Sequence, residues 1–231
     1  MSTRGESYQK LLSYFVAQVF GRFVLLVGVL AVGVSWGIYL AMGSIVFKIG
    51  FAGGHIWAAW FTRGLRSISL LWFLVYMKVG PLSLASRNLP LICFALISTM
   101  VGISCMGVSL EVSEFLYWGG LLGASWLWLV RSESDIWYFF VLYRVVILWL
   151  LCSSGSNEFY VFSFAGLPPL ALFFGKVVVL SSVSILLIIF LIGLASWSLV
   201  YYSRWLARTN RIPKTIYVNQ TTGIMLVLLS R

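Results

Sequence analysis

The chain is expected to be an all-α integral membrane protein of about nine transmembrane helices, on three observations. Of its 231 residues 61% are hydrophobic and the mean hydropathy is +1.00, where a soluble globular domain is about half apolar. Apolar spans of roughly 17–25 residues alternate with short polar breaks, which is the helical pattern; a transmembrane barrel alternates in strands of about ten residues. Charged residues make up only 10% of the chain, so the loops are short and the whole of 1–231 reads as a single membrane domain.

The spans fall at 11–33, 36–62, 67–88, 90–108, 114–130, 136–152, 159–183, 184–206 and 214–230. Residues 11–43 read either as one long helix or as two; glycines are the only breakers there, and the split is placed near Gly33 and Gly37. Splitting at them leaves Lys48 about twelve residues into the second helix, ~18 Å along at the α-helical rise and so near mid-bilayer. Lys78 reaches a similar depth in the third span, one turn before Pro81, which bends its helix and frees a carbonyl near the lysine. The fourth and fifth spans are parted by the polar stretch 109–113, and Arg131-Ser132-Glu133-Ser134-Asp135 forms a solvated loop before the sixth. The seventh holds Pro168-Pro169 and, seven residues on, Lys176. Trp60, Trp137, Tyr201, Tyr202 and Trp205 lie near span ends and fit an interfacial aromatic belt.

Nine spans put Arg4, Lys10, Arg63, Arg66, Arg204, Arg208, Arg211 and Lys214 on the side of the N-terminus and Arg87, Arg131 and Arg231 on the other. The excess places the N-terminus in the cytoplasm or matrix. The net charge of +10 is scattered over loop ends, which argues against a nucleic-acid partner. Cys93, Cys105 and Cys152 are too widely spaced for a metal or disulfide framework and read as small buried hydrophobes. With His55 the only histidine, the chain cannot ligate haem or copper through several axial ligands, and no cofactor is expected on it. No secretory or transit segment precedes the first span, so the chain is expected to be made where it is inserted or to use its helices as the address.

Lys48, Lys78 and Lys176 lie inside apolar stretches with no charged neighbour in the core of their own segments. An ammonium in lipid costs a few kcal/mol or more, about 3 on insertion scales, so such residues line polar paths inside a bundle. The three are expected to face one polar axis. Lysine suits a proton relay because it can give up its proton, which arginine cannot. Two of them lie by helix breakers, Lys48 before Ala52-Gly53-Gly54-His55 and Lys176 after Gly166-Leu167-Pro168-Pro169. Interrupted helices beside buried charges point to a transport site. The plainer reading is that these glycines and prolines only kink packed helices.

These residues resemble a known family. Lys48-Ile49-Gly50 through His55-Ile56-Trp57 is similar to the Lys-Leu-Gly-x-Ala-Pro-x-His-x-Trp segment of antiporter-like membrane subunits. Met77-Lys78-Val79-Gly80-Pro81, Ser163-Phe164-Ala165-Gly166-Leu167-Pro168-Pro169 with Lys176, and Ser13-Tyr14-Phe15-Val16-Ala17-Gln18 (against Lys-Tyr-Phe-x-x-Gln) resemble segments of the NADH dehydrogenase subunit 2 family of respiratory complex I, in the same order. The resemblance implies an antiporter-like bundle of inverted repeats with two broken helices: 11–88 a remnant of the first repeat, 90–206 the second, 214–230 a C-terminal helix. It implies proton translocation coupled to quinone reduction elsewhere in the complex. Lys48 would be the proton site of the first half, Lys78 the bridge between halves, Lys176 the site of the second, and His55 either an auxiliary relay member or a hydrogen-bonded packing residue. Flavin, iron–sulfur clusters and ubiquinone would belong to partner subunits, and the place would be the mitochondrial inner membrane, with the N-terminus on the matrix side.

Four departures accompany the likeness. The family's intramembrane glutamate lies in a helix that would precede this chain, so Lys48 has no carboxylate partner of its own and a separate chain supplying such helices is an expected partner, beside other membrane-arm subunits and lipid. The Ala-Pro-x-His break has become Ala52-Gly53-Gly54-His55, and the basic pair at the start of the fifth span is Ser113-Glu114. Arg22 and Arg144 stand mid-span, either as structural contacts or as substitutes for lost electrostatics. A subunit of a cation/proton antiporter, or a structural subunit that has lost conduction, are the alternatives.

Overall fold

The computed structural model describes residues 4–31, 33, 35–51, 53–63, 65, 67–84, 89–109, 111–130, 132–152 and 158–210. Among them there are helices and no strands. The helices are α1 (Arg4–Leu30), α2 (Ser35–Ile49), α3 (His55–Thr62), α4 (Ser67–Leu71), a π-helical turn (Trp72–Tyr76), α5 (Met77–Leu84), α6 (Leu89–Met106), α7 (Val112–Leu129), α8 (Glu133–Cys152), α9 (Glu158–Ala165), α10 (Ala171–Ser181) and α11 (Ile185–Asn210). Among the described residues three stretches are long and apolar enough to cross a membrane by length and composition, Tyr8–Leu30, Ser134–Cys152 and Ile185–Arg208. The expected span 214–230 lies outside the described residues, as do Arg66, Arg87, Arg131, Arg211, Lys214 and Arg231.

The chain forms two compact units. One comprises Met1–Gly102 with Ser109–Trp128, the other Ile103–Val108 with Leu129–Arg231.

In the first unit α1 and α2 form a close antiparallel pair. Gly28 lets the backbones meet, since a Cβ there would lie 2.5 Å from Ala41 N. The long apolar stretch is thus two helices, parted between Leu30 and Ser35. At one end Lys10 donates to the Arg63 carbonyl (2.6 Å) and Arg63 pairs with Glu114 (3.1 Å). The start of α1, the end of α3 and the start of α7 therefore share one end of the unit. Glu114 is the acid that joins them.

The third span holds a feature that the residue types alone do not signal. A π turn takes one extra residue and so rotates the phase of the residues after it. Phe73, Leu74 and Val75 are consequently all buried at 5%, 0% and 1% exposure, and Lys78 is turned inward behind them.

In the second unit α10 packs on α8 through Gly175, whose Cβ would come 2.5 Å from Phe139 Cδ2. Two aromatic assignments change here. Tyr202 and Trp205 are buried at 2% and 5% exposure and belong to the core, with Tyr202 edge-on to Phe164 at 6.1 Å, whereas Trp60 and Trp137 stay exposed as an interfacial belt requires. The cysteines also differ from expectation: Cys93 and Cys152 are exposed and only Cys105 is half-buried. A thiol is small enough to sit on an apolar outer face, so burial does not follow from its chemistry.

Candidate functional site

Both interrupted helices end in the same way. In α2, Gly50 takes φ 81, its N–H bonds to Phe47 O (3.2 Å), and Phe51 N–H reaches back to Val46 O (3.1 Å). In α9, Gly166 takes φ 78, its N–H bonds to Ser163 O (3.1 Å), and Leu167 N–H reaches Phe162 O (3.2 Å). Each is a Schellman ending, a left-handed glycine followed by a residue that closes the helix over its last carbonyls. Glycine is needed because a side chain at such φ is strained.

A lysine accompanies each ending. Lys48 lies in the last turn of α2, half-buried, its stem crossing α1 at Gly21, where a Cβ would lie 2.7 Å from Lys48 Cγ. Lys176 is in α10, the helix after the second break, and its ammonium donates back to the carbonyl of Ala165, the last residue of α9. The negative end of a helix favours a cation there. At the second break, then, an ammonium stands at the carbonyl end of a half-helix, and at the first the lysine belongs to the last turn of the half-helix.

The first break is tied down from two sides. Tyr117 of α7, buried at 2% exposure, donates its hydroxyl to Gly50 O (3.0 Å), and Trp57 Nε1 donates to Phe47 O (3.1 Å). Buried carbonyls freed by the interruption thus find donors, as a membrane interior requires. His55 begins α3 and accepts the Gly53 N–H at Nδ1 (3.2 Å), with its ring 6.1 Å from that of Trp118. In this arrangement the histidine caps the loop of the break, which leaves its Nε2 face for any further role.

Lys78, at 5% exposure, donates to Gly120 O of α7 (2.7 Å). Gly120 is one turn after Tyr117 on that helix, so α7 presents to one side the hydroxyl that holds the α2 break and the carbonyl that holds Lys78. The α2 break and Lys78 are therefore both held by α7. Tyr117 and Gly120 did not stand out in the sequence; a tyrosine next to Trp118-Gly119-Gly120 looks like ordinary apolar packing. Arg22 is exposed on α1 and Arg144 is exposed on α8. Among the described residues no three of His, Cys, Asp or Glu come together as metal ligands.

An ammonium held by carbonyl dipoles can donate its proton and be refilled without carrying a counter-ion along, which is chemistry suited to passing protons between stations. No protein family and no curated protein matches the sequence. The structure, however, is similar to a chain of the respiratory complex I from Thermus thermophilus with bound aureothin, at a TM-score of 0.69 and 18% identity. The match covers 87% of this chain and 57% of that one, so this chain spans little more than half the length of its structural neighbour. What the two share is the fold.

Proposed function

We propose that the chain is a proton-translocating membrane-arm subunit of NADH:ubiquinone oxidoreductase, of the NADH dehydrogenase subunit 2 type. The observation that carries the reading is the recurrence of one device: two half-helices closed by left-handed glycines, each with a lysine at its carbonyl end, in a chain with the fold of a complex I chain. Lys48 and Lys176 hold and release protons at the two breaks, and Lys78 is the next station after Lys48. His55 is auxiliary and acts through the loop it caps. Electron transfer takes place on flavin, iron–sulfur clusters and ubiquinone in partner subunits. The reading includes nine crossings, with 214–230 the last, inverted repeats, residence in the mitochondrial inner membrane and an N-terminus on the matrix side. Other membrane-arm subunits and lipid surround it.

Lys78→Met and Lys176→Met, made in the intact complex and assayed in vesicles, test it. Methionine keeps most of the volume and removes the charge. Proton release per NADH oxidised is expected to fall while the complex still assembles. Normal pumping with both substitutions would leave a structural subunit as the better account. Purification of the chain with no flavin or iron–sulfur subunits would favour an antiporter subunit.

A further inference from the structure

Gln18, in α1, is only 6% exposed, and its amide Nε2 is buried with no acceptor in the protein. A buried donor without an acceptor costs about 1–3 kcal/mol, while leucine would fill the same place at no such cost. The position of the residue says what it serves. The antiparallel register of α1 and α2 is marked at two points, Gly28 against Ala41 and Gly21 against Lys48. Three residues back along α1 from Gly21 is Gln18, and three residues on from Lys48 is Phe51, in the Schellman break. On the other side of Gln18, one turn away, Tyr14 stacks on Phe61 of α3 at 4.7 Å and lies 6.4 Å from Trp57. Tyr14, Gln18 and Gly21 share one face of α1. Gln18 therefore comes level with the gap between α2 and α3, one turn from the lysine, where the carbonyl end of α2 is concentrated.

We propose that Gln18 is a positioning residue of the proton path, its amide holding a water molecule between Lys48 and the break of α2. The inference rests on the proton-carrying role proposed for Lys48. In the step it serves, an N–H bond of the Lys48 ammonium breaks and an O–H bond of the water forms, while that water passes another proton to the next water along the path. The amide neither gains nor loses a proton. It fixes where the water stands and which way its lone pair points, and a buried polar site with several partners is where ordered water belongs.

The test uses the intact complex in vesicles, with Lys48→Met, Gln18→Leu and Gln18→Asn. Gln18→Leu removes an unsatisfied buried donor, so thermal stability is expected to hold or rise. The rate of proton release is nevertheless expected to fall roughly fivefold, the scale of one lost hydrogen bond, and its pH profile to shift. Gln18→Asn keeps the amide donor one methylene shorter and is expected to retain more pumping than Gln18→Leu. If Lys48→Met lowers pumping but Gln18→Leu leaves both rate and pH profile unchanged, the inference fails and Gln18 is packing. If Lys48→Met itself leaves pumping unchanged, the proton role of this break fails, and the inference with it.

Discussion

Gly166→Ala probes the second break at the point where backbone and lysine meet. Gly166 has φ 78, and a Cβ there would lie 2.8 Å from Lys176 Nζ, 2.9 Å from Cε and 3.1 Å from Cδ. The left-handed backbone costs an alanine about 1–2 kcal/mol. The lysine tip can swing aside, so the clash itself is cheap, but the swing takes the ammonium off the Ala165 carbonyl, a charged hydrogen bond worth about 1.5–3 kcal/mol. Together these come to roughly 2.5–5 kcal/mol. Gly53→Ala isolates the first term, because Gly53 has φ 101 and nothing within 4 Å of its Cβ position; it should lose about 1–2 kcal/mol and no more. Thermal inactivation of the detergent-solubilised complex measures both, and a cycle with Lys176→Met measures the rest. In the Lys176→Met background Gly166→Ala should cost only the backbone term, leaving a coupling of about 1.5–3 kcal/mol. Proton release per NADH should drop in Gly166→Ala. Additive stabilities together with full pumping would show that the lysine and the break are independent, and the pairing of Lys176 with its half-helix would be wrong.

Tyr117→Phe keeps the buried ring but strands the Gly50 carbonyl, and is expected to cost about 1–3 kcal/mol in thermal stability; an unchanged melting profile would mean another donor serves that carbonyl. Disrupting the Arg63–Glu114 pair, whose side chains are 52% and 13% exposed, should cost no more than about 1 kcal/mol and less in high salt, as a double-mutant cycle would read. Between Lys10 and Arg87 the sequence has basic residues and no Asp or Glu, while Arg22 lies on an α1 face with Phe15, Val19, Phe23 and Leu26 exposed. A photocrosslinker at Val19 or Phe23 in the intact complex is therefore expected to capture a neighbouring membrane helix that bears an acidic residue, and adducts to lipid alone would refute this.

The features legible in the sequence are those that local chain chemistry sets. Gly53-Gly54 and Pro168-Pro169 could be read as breakers from residue type alone, without knowing any neighbour, although the residue that closes the first half-helix is Gly50. The three lysines could be singled out because a charge in a long apolar run is conspicuous in any context. Depth and side choice depend on what packs where. In a membrane chain the lipid face and the core face are both apolar, so the periodicity that marks the buried side of a soluble helix is absent. Tyr202 and Trp205 could therefore pass for interfacial residues, and Gln18 showed nothing of its burial. The partners of Lys78 and of the first break come from far along the chain: Gly120 for Lys78, 42 residues away, and Tyr117 for Gly50, 67 residues away. The inward turn of Lys78 depends on a π turn that no residue type announces. These contacts arise from helix against helix, and the sequence carries only the groups that make them possible.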